Sequence, residues 1–194
     1  MFEDEFNVDK LMHKRKSKKS GTVLKKDIHD VLLIVLDCGK TMNSTEDDAT
    51  SFKLAKNAVD WIISRKIFAQ AKDRASIILF GCNKTRNSIH IPNVFVYEDL
   101  FSQAKFDHLR FLEREVDLCT EHQSNVIDAL VVATEFMKEQ IHGDPAVEGK
   151  SILLFTNGLG VFSEDSQELT NISSTIKAIG INLIVVYVFH TLPY

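Results

Sequence analysis

Four continuous runs of apolar residues predict strands that are covered on both faces. They are 31-VLLIVL-36, 76-SIILF-80, 152-ILLF-155 and 181-INLIVVYVF-189. Such runs do not alternate between apolar and polar positions, which is typical of the centre of a parallel sheet. The segment 93-NVFVYE-98 does alternate, and it predicts an antiparallel edge strand paired with residues 75–80.

The segments between these strands carry apolar residues at helical spacing. One predicted helix, 51–71, has Phe52, Ala55, Val59 and Ile62 on one face, and another, 124–141, has Val126, Leu130, Ala133, Met137 and Ile141. Further helices are predicted at 103–118, with Phe106, Leu109, Leu112 and Val116 as its apolar positions, and at 164–178, capped by Ser163. The alternation of strands and helices predicts an α/β fold: a doubly wound, mostly parallel sheet with one antiparallel edge strand and helices on both faces. Its ligand crevice should lie at the carboxyl ends of the strands.

Trp61 falls off the main apolar stripe of the helix 51–71. It either fills the seam with a neighbouring helix or lies exposed as an anchor for a partner, and the pattern does not choose between the two.

A change in composition predicts two parts, an arm at 1–29 and a folded domain at 30–194. The arm is polar and shows no apolar period, so we expect it to be mostly disordered. Its basic residues form either a nuclear-import signal, a nucleic-acid arm or a solvated linker. They are Lys14, Arg15, Lys16, Lys18 and Lys19.

The folded part is acidic, since residues 31–194 contain fifteen Lys and Arg against twenty-one Asp and Glu. An acidic surface does not attract phosphate backbones, so this part is a poor candidate for a main nucleic-acid binder. The odd number of cysteines matches no zinc pattern and favours a reducing compartment. The longest apolar run is too short for a membrane span, so we expect no membrane association.

The loop 37-DCGKTM-42 ends like a nucleotide-binding P-loop but lacks the glycine that such a loop requires. That glycine would stand five positions before Gly39, where the sequence has Ile34. Without it the backbone cannot fold around phosphates, so a hydrolase or nucleotide-dependent enzyme is not favoured. Cys119 lies near His122 in the sequence, but no oxyanion donor can be assigned to make it a nucleophile.

Four features resemble the von Willebrand factor A domain: a strand ending in Asp37, the DxSxS-like loop after it, a hydroxyl before the DAL of a later helix, and 153-LLFTNG-158. Within that family, the sequence is similar to the N-terminal domain of the large subunit of Ku. The similar segments are 37-DCGKTM-42, 52-FKLAKNAVDWIISRKIFAQAKDRASIILFG-81, 126-VIDALVVATEFM-137 and the LPY at 192–194. The resemblance covers roughly residues 29–194 and leaves the basic arm unmatched.

The A-domain resemblance implies a metal-ion-dependent site in which hydroxyls bind Mg²⁺ directly and two aspartates hold its waters. Asp37, Thr41 and Ser124 stand at matching positions, but Gly39 replaces the first serine and Asn157 replaces the second aspartate. Because Mg²⁺ requires hard oxygen ligands in near-octahedral order, each missing ligand is costly. We therefore predict no cofactor and a vestigial site. In it Asp37, Thr41, Ser124 and Asn157 hydrogen-bond one another and the loop N–H groups. A physiological metal site is the alternative.

The Ku resemblance implies a non-catalytic protein-interaction domain of a DNA-end-binding heterodimer in the nucleus. Such a domain recruits double-strand-break repair factors for non-homologous end joining, and telomere-maintenance factors. One implied partner is the small subunit of Ku, which is contacted mainly through later domains of a longer chain. The other is DNA ends, which are bound by the full complex and weakly or not at all by this fragment. The alternative is a metal-dependent A-domain adhesion module.

The resemblance also implies that short motifs of repair or telomere proteins, basic residues followed by an aromatic anchor, dock on the periphery of the domain. We expect them at 82-CNKTRNSIHIP-92 and the helix predicted to face it, 103–118. The expected residues are Ile89, Ile91, Asp107, Glu113, Glu115 and Asp117. The alternative for Ile89 is that it only packs its loop onto the domain.

Overall fold

Within the part of the chain that the structure describes, a six-stranded sheet forms the centre of the fold. The computed structural model describes residues 28–46, 49–162 and 166–188. The strands are β1 (His29–Asp37), β2 (Thr45–Glu46), β3 (Ala49–Thr50), β4 (Arg74–Phe80), β5 (Val94–Val96), β6 (Ser102–Gln103), β7 (Val147–Thr156) and β8 (Asn182–Tyr187). The helices are α1 (Ser51–Phe68), α2 (Phe106–Glu115), α3 (Val126–Ile141) and α4 (Ser166–Ile179), with one 3₁₀ turn at Lys40–Asn43.

The strand order confirms the predicted doubly wound sheet. It runs β5-β4-β1-β7-β8, with β1 parallel to β4 and β7, and β7 parallel to β8. The predicted edge strand is also confirmed, since β5 pairs antiparallel with β4. The short β6 pairs with the start of β4, and β2 and β3 form a separate two-stranded ribbon. The chain therefore leaves β1 first toward β4 and later returns to its other side at β7, which opens the crevice at the end of β1.

The central strand β1 shows why its sequence is apolar throughout. Leu33 and Val35 pack on one face of the sheet with α3 and α4, while Ile34 and Leu36 pack on the other with α1 and α2. All four side chains are fully buried. Because successive side chains of a strand point to opposite faces, a strand between two helical layers requires an apolar residue at every position.

The helices begin and end close to the predicted positions. Thr50 caps α1 by accepting a hydrogen bond from the backbone N–H of Lys53 (3.1 Å), and Asn125 caps α3 through the N–H of Ile127 (3.0 Å). The predicted helices 51–71, 103–118 and 124–141 are each shorter in the structure, because their outer residues form turns, caps and, at Gln103, part of β6.

Two aromatic residues of the predicted helices are largely exposed. Trp61 is 60% exposed, so of its two alternatives the structure excludes the seam between helices. Phe106 is 54% exposed at the start of α2 and contacts the ring of Phe68 edge-on.

Several predictions fall on parts of the chain that the structure does not describe. They are the basic arm from Lys14 to Lys19, the helix cap Ser163 and the terminal segment 189–194. None of the helices among the described residues combines the length and the hydropathy that crossing a bilayer requires.

Candidate functional site

Asp37 lies at the carboxyl end of β1, where the neighbouring strands also end. Its side chain is fully buried. Oδ1 accepts hydrogen bonds from the backbone N–H of Gly39 (3.0 Å) and from the hydroxyl of Ser124, and Oδ2 accepts one from Thr156 Oγ1 (2.7 Å). Burial raises the pKa of Asp37, although the three hydrogen bonds act in the opposite direction. Both carboxylate oxygens are therefore committed to donors of the protein itself.

Asn157 connects the loop after β7 to the 3₁₀ turn after β1. Its Nδ2 donates to the backbone oxygen of Thr41 (2.7 Å), and its Oδ1 accepts from the N–H of Leu159 (3.0 Å). Among the described residues, the buried Thr41 Oγ1 has no hydrogen-bond partner. The structure thus brings all four predicted residues to one end of the sheet. The side chain of Asp37 is hydrogen-bonded to the side chain of Ser124, whereas the side chain of Asn157 is hydrogen-bonded to the backbone oxygen of Thr41.

Thr156 was not predicted as a site residue from the sequence, although its hydroxyl donates a hydrogen bond to Asp37. It is the last residue of β7 and its Oγ1 also accepts the N–H of Gly158 (3.1 Å). Its position directly after the apolar run 152–155, at the end of a strand next to β1, is the signal that could have found it.

Glycines allow the chain to close tightly around Ser124. A Cβ atom on Gly39 would overlap the hydroxyl of Ser124 and lie 2.8 Å from its backbone nitrogen. A Cβ on Gly160 would lie 2.7 Å from the backbone oxygen of Ser124. Gly81 has a φ of +69° and packs against Gly39. The place where an A domain has its first serine is therefore filled by Ser124.

The described side chains do not fit the Mg²⁺ ion that the A-domain fold implies. The ion needs about six oxygen ligands at about 2.1 Å in octahedral order. Here Asp37 is the one carboxylate in the cluster of four, its oxygens accept three hydrogen bonds, and Asn157 is turned toward the backbone. The described part of the chain contains no group of three His, Cys, Asp or Glu residues placed to hold a metal ion. Among the described residues of this site, the unpaired hydroxyl of Thr41 favours an ion.

Adding millimolar Mg²⁺ or Mn²⁺ in place of EDTA should leave the melting temperature unchanged. An ion bound to the native state at 100 times its dissociation constant would stabilise it by about 2.7 kcal/mol, which shifts the melting temperature by several degrees. Differential scanning calorimetry measures this directly. A reproducible increase that is lost in Asp37→Ala would show that the site binds metal.

Three buried thiols lie near the same end of the sheet, and none is arranged as a nucleophile. Burial raises the pKa of Cys38 and of Cys82, which keeps both thiols neutral at pH 7. Cys119 donates to Asn83 Oδ1 (2.9 Å), and the contact from His122 to its sulfur is made by a backbone N–H (3.4 Å). The arrangement therefore offers no activated thiolate.

The predicted partner surface is divided between the two faces of the sheet. Ile91 packs against the cluster that contains α3, and Ile89 is 40% exposed in the same loop. The predicted acidic partners lie on or just after α2, which packs on the opposite face. They are Asp107, Glu113, Glu115 and Asp117. The prediction that this helix faces the segment 82–92 therefore holds for residues 82–84 but not for Ile91, which packs on the other side of the sheet.

The path of the loop 82–92 explains why the predicted partner surface is divided between the two faces of the sheet. Its first part faces the end of α2, where Lys84 pairs with Glu115 (3.3 Å). At Arg86 the chain runs beside β5, bonded to the backbone of Val94 and Val96 (3.0 and 2.7 Å), and so reaches the α3 side of the sheet.

A groove lies between this loop and α3. Its volume is about 320 Å³, and its apolar wall is formed by Val96, Val132 and Phe136. Arg86, Asn87, Ser88, Asp99, Glu139 and Gln140 complete the lining. The guanidinium of Arg86 is held by Asp99 (2.6 Å), whereas Glu139 is exposed at the end of α3. Sequence reasoning missed this face, although positions 132, 136 and 139 follow helical spacing.

Residues 31–190 match the family model described as the Ku70/Ku80 N-terminal alpha/beta domain. X-ray repair cross-complementing protein 5 of Xenopus laevis is 26% identical over 143 residues, which cover 71% of this chain and 19% of that protein. X-ray repair cross-complementing protein 6 of Mus musculus is 26% identical over 86 residues, 43% of this chain and 14% of that protein. The chain thus spans about a fifth or less of the length of these curated relatives.

Two solved structures have the same fold. The VWA domain of SpRpn10 superposes with a TM-score of 0.60 at 14% identity, covering 82% of this chain and 75% of the other. An aerotolerance-related membrane protein from Bacteroides fragilis superposes with a TM-score of 0.56 at 18% identity, covering 82% and 67%. These likenesses confirm the von Willebrand factor A fold. Because the family model matches most of this fold, the chain belongs to the Ku70/Ku80 N-terminal alpha/beta domain family.

Proposed function

We propose that the chain is a non-catalytic protein-interaction domain of a Ku-type DNA-end-binding heterodimer in the nucleus. It recruits double-strand-break repair factors for non-homologous end joining, and telomere-maintenance factors. The observation that carries the proposal is the family match over residues 31–190, strengthened by likeness to X-ray repair cross-complementing proteins. The small subunit of Ku is its partner, through parts of a longer protein beyond this domain. We assign residues 30–194 to the domain and residues 1–29 to an arm.

The strand-end crevice supports a structural role for that region rather than catalysis. In doubly wound folds this crevice is the usual place for a ligand. Here the hydroxyls of Ser124 and Thr156 both donate hydrogen bonds to Asp37 inside it, and Gly39 and Gly160 pack against Ser124. A substrate would have to displace these contacts. The binding surface is therefore assigned to the periphery.

The groove between α3 and residues 86–88 of the loop is the surface that suits a short basic–aromatic motif. Val132 and Phe136 provide an apolar wall for an aromatic anchor, and Glu139 provides a negative charge at its rim. An aromatic side chain buried in such a groove supplies most of the affinity, while rim charges mainly raise the association rate. Ile89 and Ile91 do not line the groove but follow its lining residue Ser88 in the chain, and they remain predicted contacts of the motif. Glu139 takes the place of the acidic residues of α2.

A metal-dependent ligand-binding module is the second candidate. The observation in its favour is the buried hydroxyl of Thr41, which has no partner among the described residues and matches a metal-binding hydroxyl of A domains. The observation against it is that the side chains of Asp37 and Asn157 already form hydrogen bonds within the protein.

The chain should bind duplex DNA ends only through its basic arm. The body carries six more acidic than basic residues, so it repels phosphates, whereas Lys14, Arg15, Lys16, Lys18 and Lys19 attract them. If all five contact phosphates, affinity should fall about 500-fold between 50 and 200 mM salt, from a log–log slope of about −4.5. Fluorescence anisotropy with a labelled duplex measures the slope.

The matched variant replaces these five residues with alanine and leaves the rest of the chain unchanged. It should show weak binding at every salt concentration. Tight binding by this variant that persists at high salt would show that the domain itself contacts DNA, and the charge argument would fail.

A further inference from the structure

The outer side of α1 carries an exposed apolar stripe. Leu54, Trp61 and Phe68 are 40%, 60% and 76% exposed, and they follow one another at intervals of seven residues. Since each such interval rotates the helix by only about 20°, the three side chains lie on one side of it. Phe106 of α2 extends the stripe, with its ring 6.3 Å from that of Phe68. Single exposed apolar residues are ordinary, but an aligned set of this size marks an interaction surface.

The stripe lies on a basic element of an otherwise acidic body. α1 contains Lys53, Lys56, Arg65 and Lys66 against one acidic residue, Asp60. The Arg65 guanidinium lies 5.0 Å from the centre of the Trp61 ring, so charge and apolar surface occur together. The surface therefore fits a partner that combines acidic and aromatic residues.

The chain itself contains such a segment at its start. Residues 2–9 read FEDEFNVD and include two phenylalanines, four acidic residues and no basic residue. Residues 13–27 contain the basic run and one acidic residue, Asp27, so the acidic charge of the arm is concentrated in residues 2–9. Phe2 and Phe6 are the aromatic anchors that the stripe would receive.

The described chain begins beside the end of the stripe. The backbone N–H of Asp30 contacts Asp73 Oδ1 (3.4 Å), and Asp73 Oδ2 pairs with Lys66 (2.9 Å) in the last turn of α1. Residues 13–27 can span up to about 50 Å. The stripe from Leu54 to Phe68 is about 21 Å long, since it covers fourteen steps of 1.5 Å. The segment 2–9 can therefore reach every part of it.

We propose that residues 2–9 dock on the α1 stripe of the same chain. Phe2 and Phe6 cover Trp61 and Phe68, while the acidic residues lie beside Lys53 and Arg65. Because the segment is tethered, its local concentration is in the millimolar range, so an intrinsic affinity of about 1 mM is enough to cover the stripe about half of the time. The contact makes the arm a built-in cover for this surface.

Trp61 reports on the contact directly, because it is the one tryptophan of the sequence. Acrylamide quenching of its fluorescence is compared between the full chain and the full chain carrying Phe2→Ser and Phe6→Ser. The Stern–Volmer constant of the double variant should be about twice that of the unaltered chain, because docking shields the exposed indole. The control, Val23→Ser with Leu24→Ser, removes two apolar residues of the arm outside the segment and should quench like the unaltered chain.

Equal quenching of the double variant and the unaltered chain would overturn the proposal. An increase in the control as large as in the double variant would also overturn it, because the effect would then not belong to residues 2–9. The quenching constant of the unaltered chain should not change on dilution. A constant that rises on dilution would show that a second copy covers the stripe, and the proposed contact within one chain would be wrong.

Discussion

Replacing Gly39 with serine should lower the free energy of unfolding by about 2–3 kcal/mol, because the new side chain has no space. Its Cβ would overlap the hydroxyl of Ser124 and lie 2.8 Å from the backbone nitrogen of that residue. Ser124 cannot move freely, since its hydroxyl bonds the buried Asp37. Urea denaturation of the variant and the unaltered protein measures the difference.

The double variant Gly39→Ser with Ser124→Gly is the control for this experiment. It removes the obstructing side chain, so it should be less destabilised than the sum of the two single changes. A coupling free energy of at least about 1 kcal/mol would support a direct clash. If Gly39→Ser instead folds with unchanged stability and is stabilised by Mg²⁺, the site is a metal site that lacks one hydroxyl.

Replacing Ile89 with arginine should reduce the binding free energy of a basic–aromatic peptide by at least about 2 kcal/mol, which raises the dissociation constant roughly thirtyfold. The melting temperature of the protein should change little. Ile89 is 40% exposed and follows Ser88, which lines the groove, so the substitution removes exposed apolar surface next to the lining loop residues and adds a charge that repels the peptide. Titration of a labelled peptide measures the affinity. Equal affinities would remove Ile89 from the interface, and an unfolded variant would assign it to the core.

Charge reversals on the two faces of the sheet test which helix meets the peptide. Glu139→Lys on α3 should weaken binding several-fold by slowing association. Asp107→Lys on α2 should have no effect, because Asp107 lies on the opposite face and pairs with Arg110 (2.7 Å). The reverse result would restore the surface that the sequence alone suggested.

The sheet could be predicted from the sequence because its signal is local. A strand between two helical layers must be apolar where both layers cover it, and the central stretches 31–36, 77–80 and 152–155 satisfy this requirement. The edge strand was also predicted, but both of its faces are covered: Val94 and Val96 pack on the α3 side of the sheet, and Phe95 and Tyr97 pack on the α2 side. The fold follows from these runs and the helical periods between them.

The candidate site could be predicted only in part, because contacts across the sheet are not local. Asp37, Ser124 and Asn157 were found because the resemblance to the von Willebrand factor A domain places site residues at these positions. The lack of space for a side chain at Gly39 results from its contact with Ser124. This contact depends on how two loops that are distant in the sequence meet, and residue spacing does not show it. The path of the loop 82–92 was missed for the same reason: the hydrogen bonds of Arg86 with β5 move it to the α3 side.

The exposure of Trp61 shows a different limit. The helical period places Trp61 off the buried stripe, and either of its two predicted roles was compatible with that position. Only the packing of α2 beside α1 decides the matter. It leaves Trp61 uncovered and brings Phe106 against Phe68.

The most direct test of the central claim is to titrate the basic–aromatic peptide against the unaltered protein in EDTA and again in millimolar Mg²⁺. A peripheral groove of apolar side chains and Glu139 needs no ion, so the two dissociation constants should agree within about twofold. Binding that requires Mg²⁺ and disappears in EDTA would contradict the account and identify the strand-end crevice as a metal-dependent ligand site.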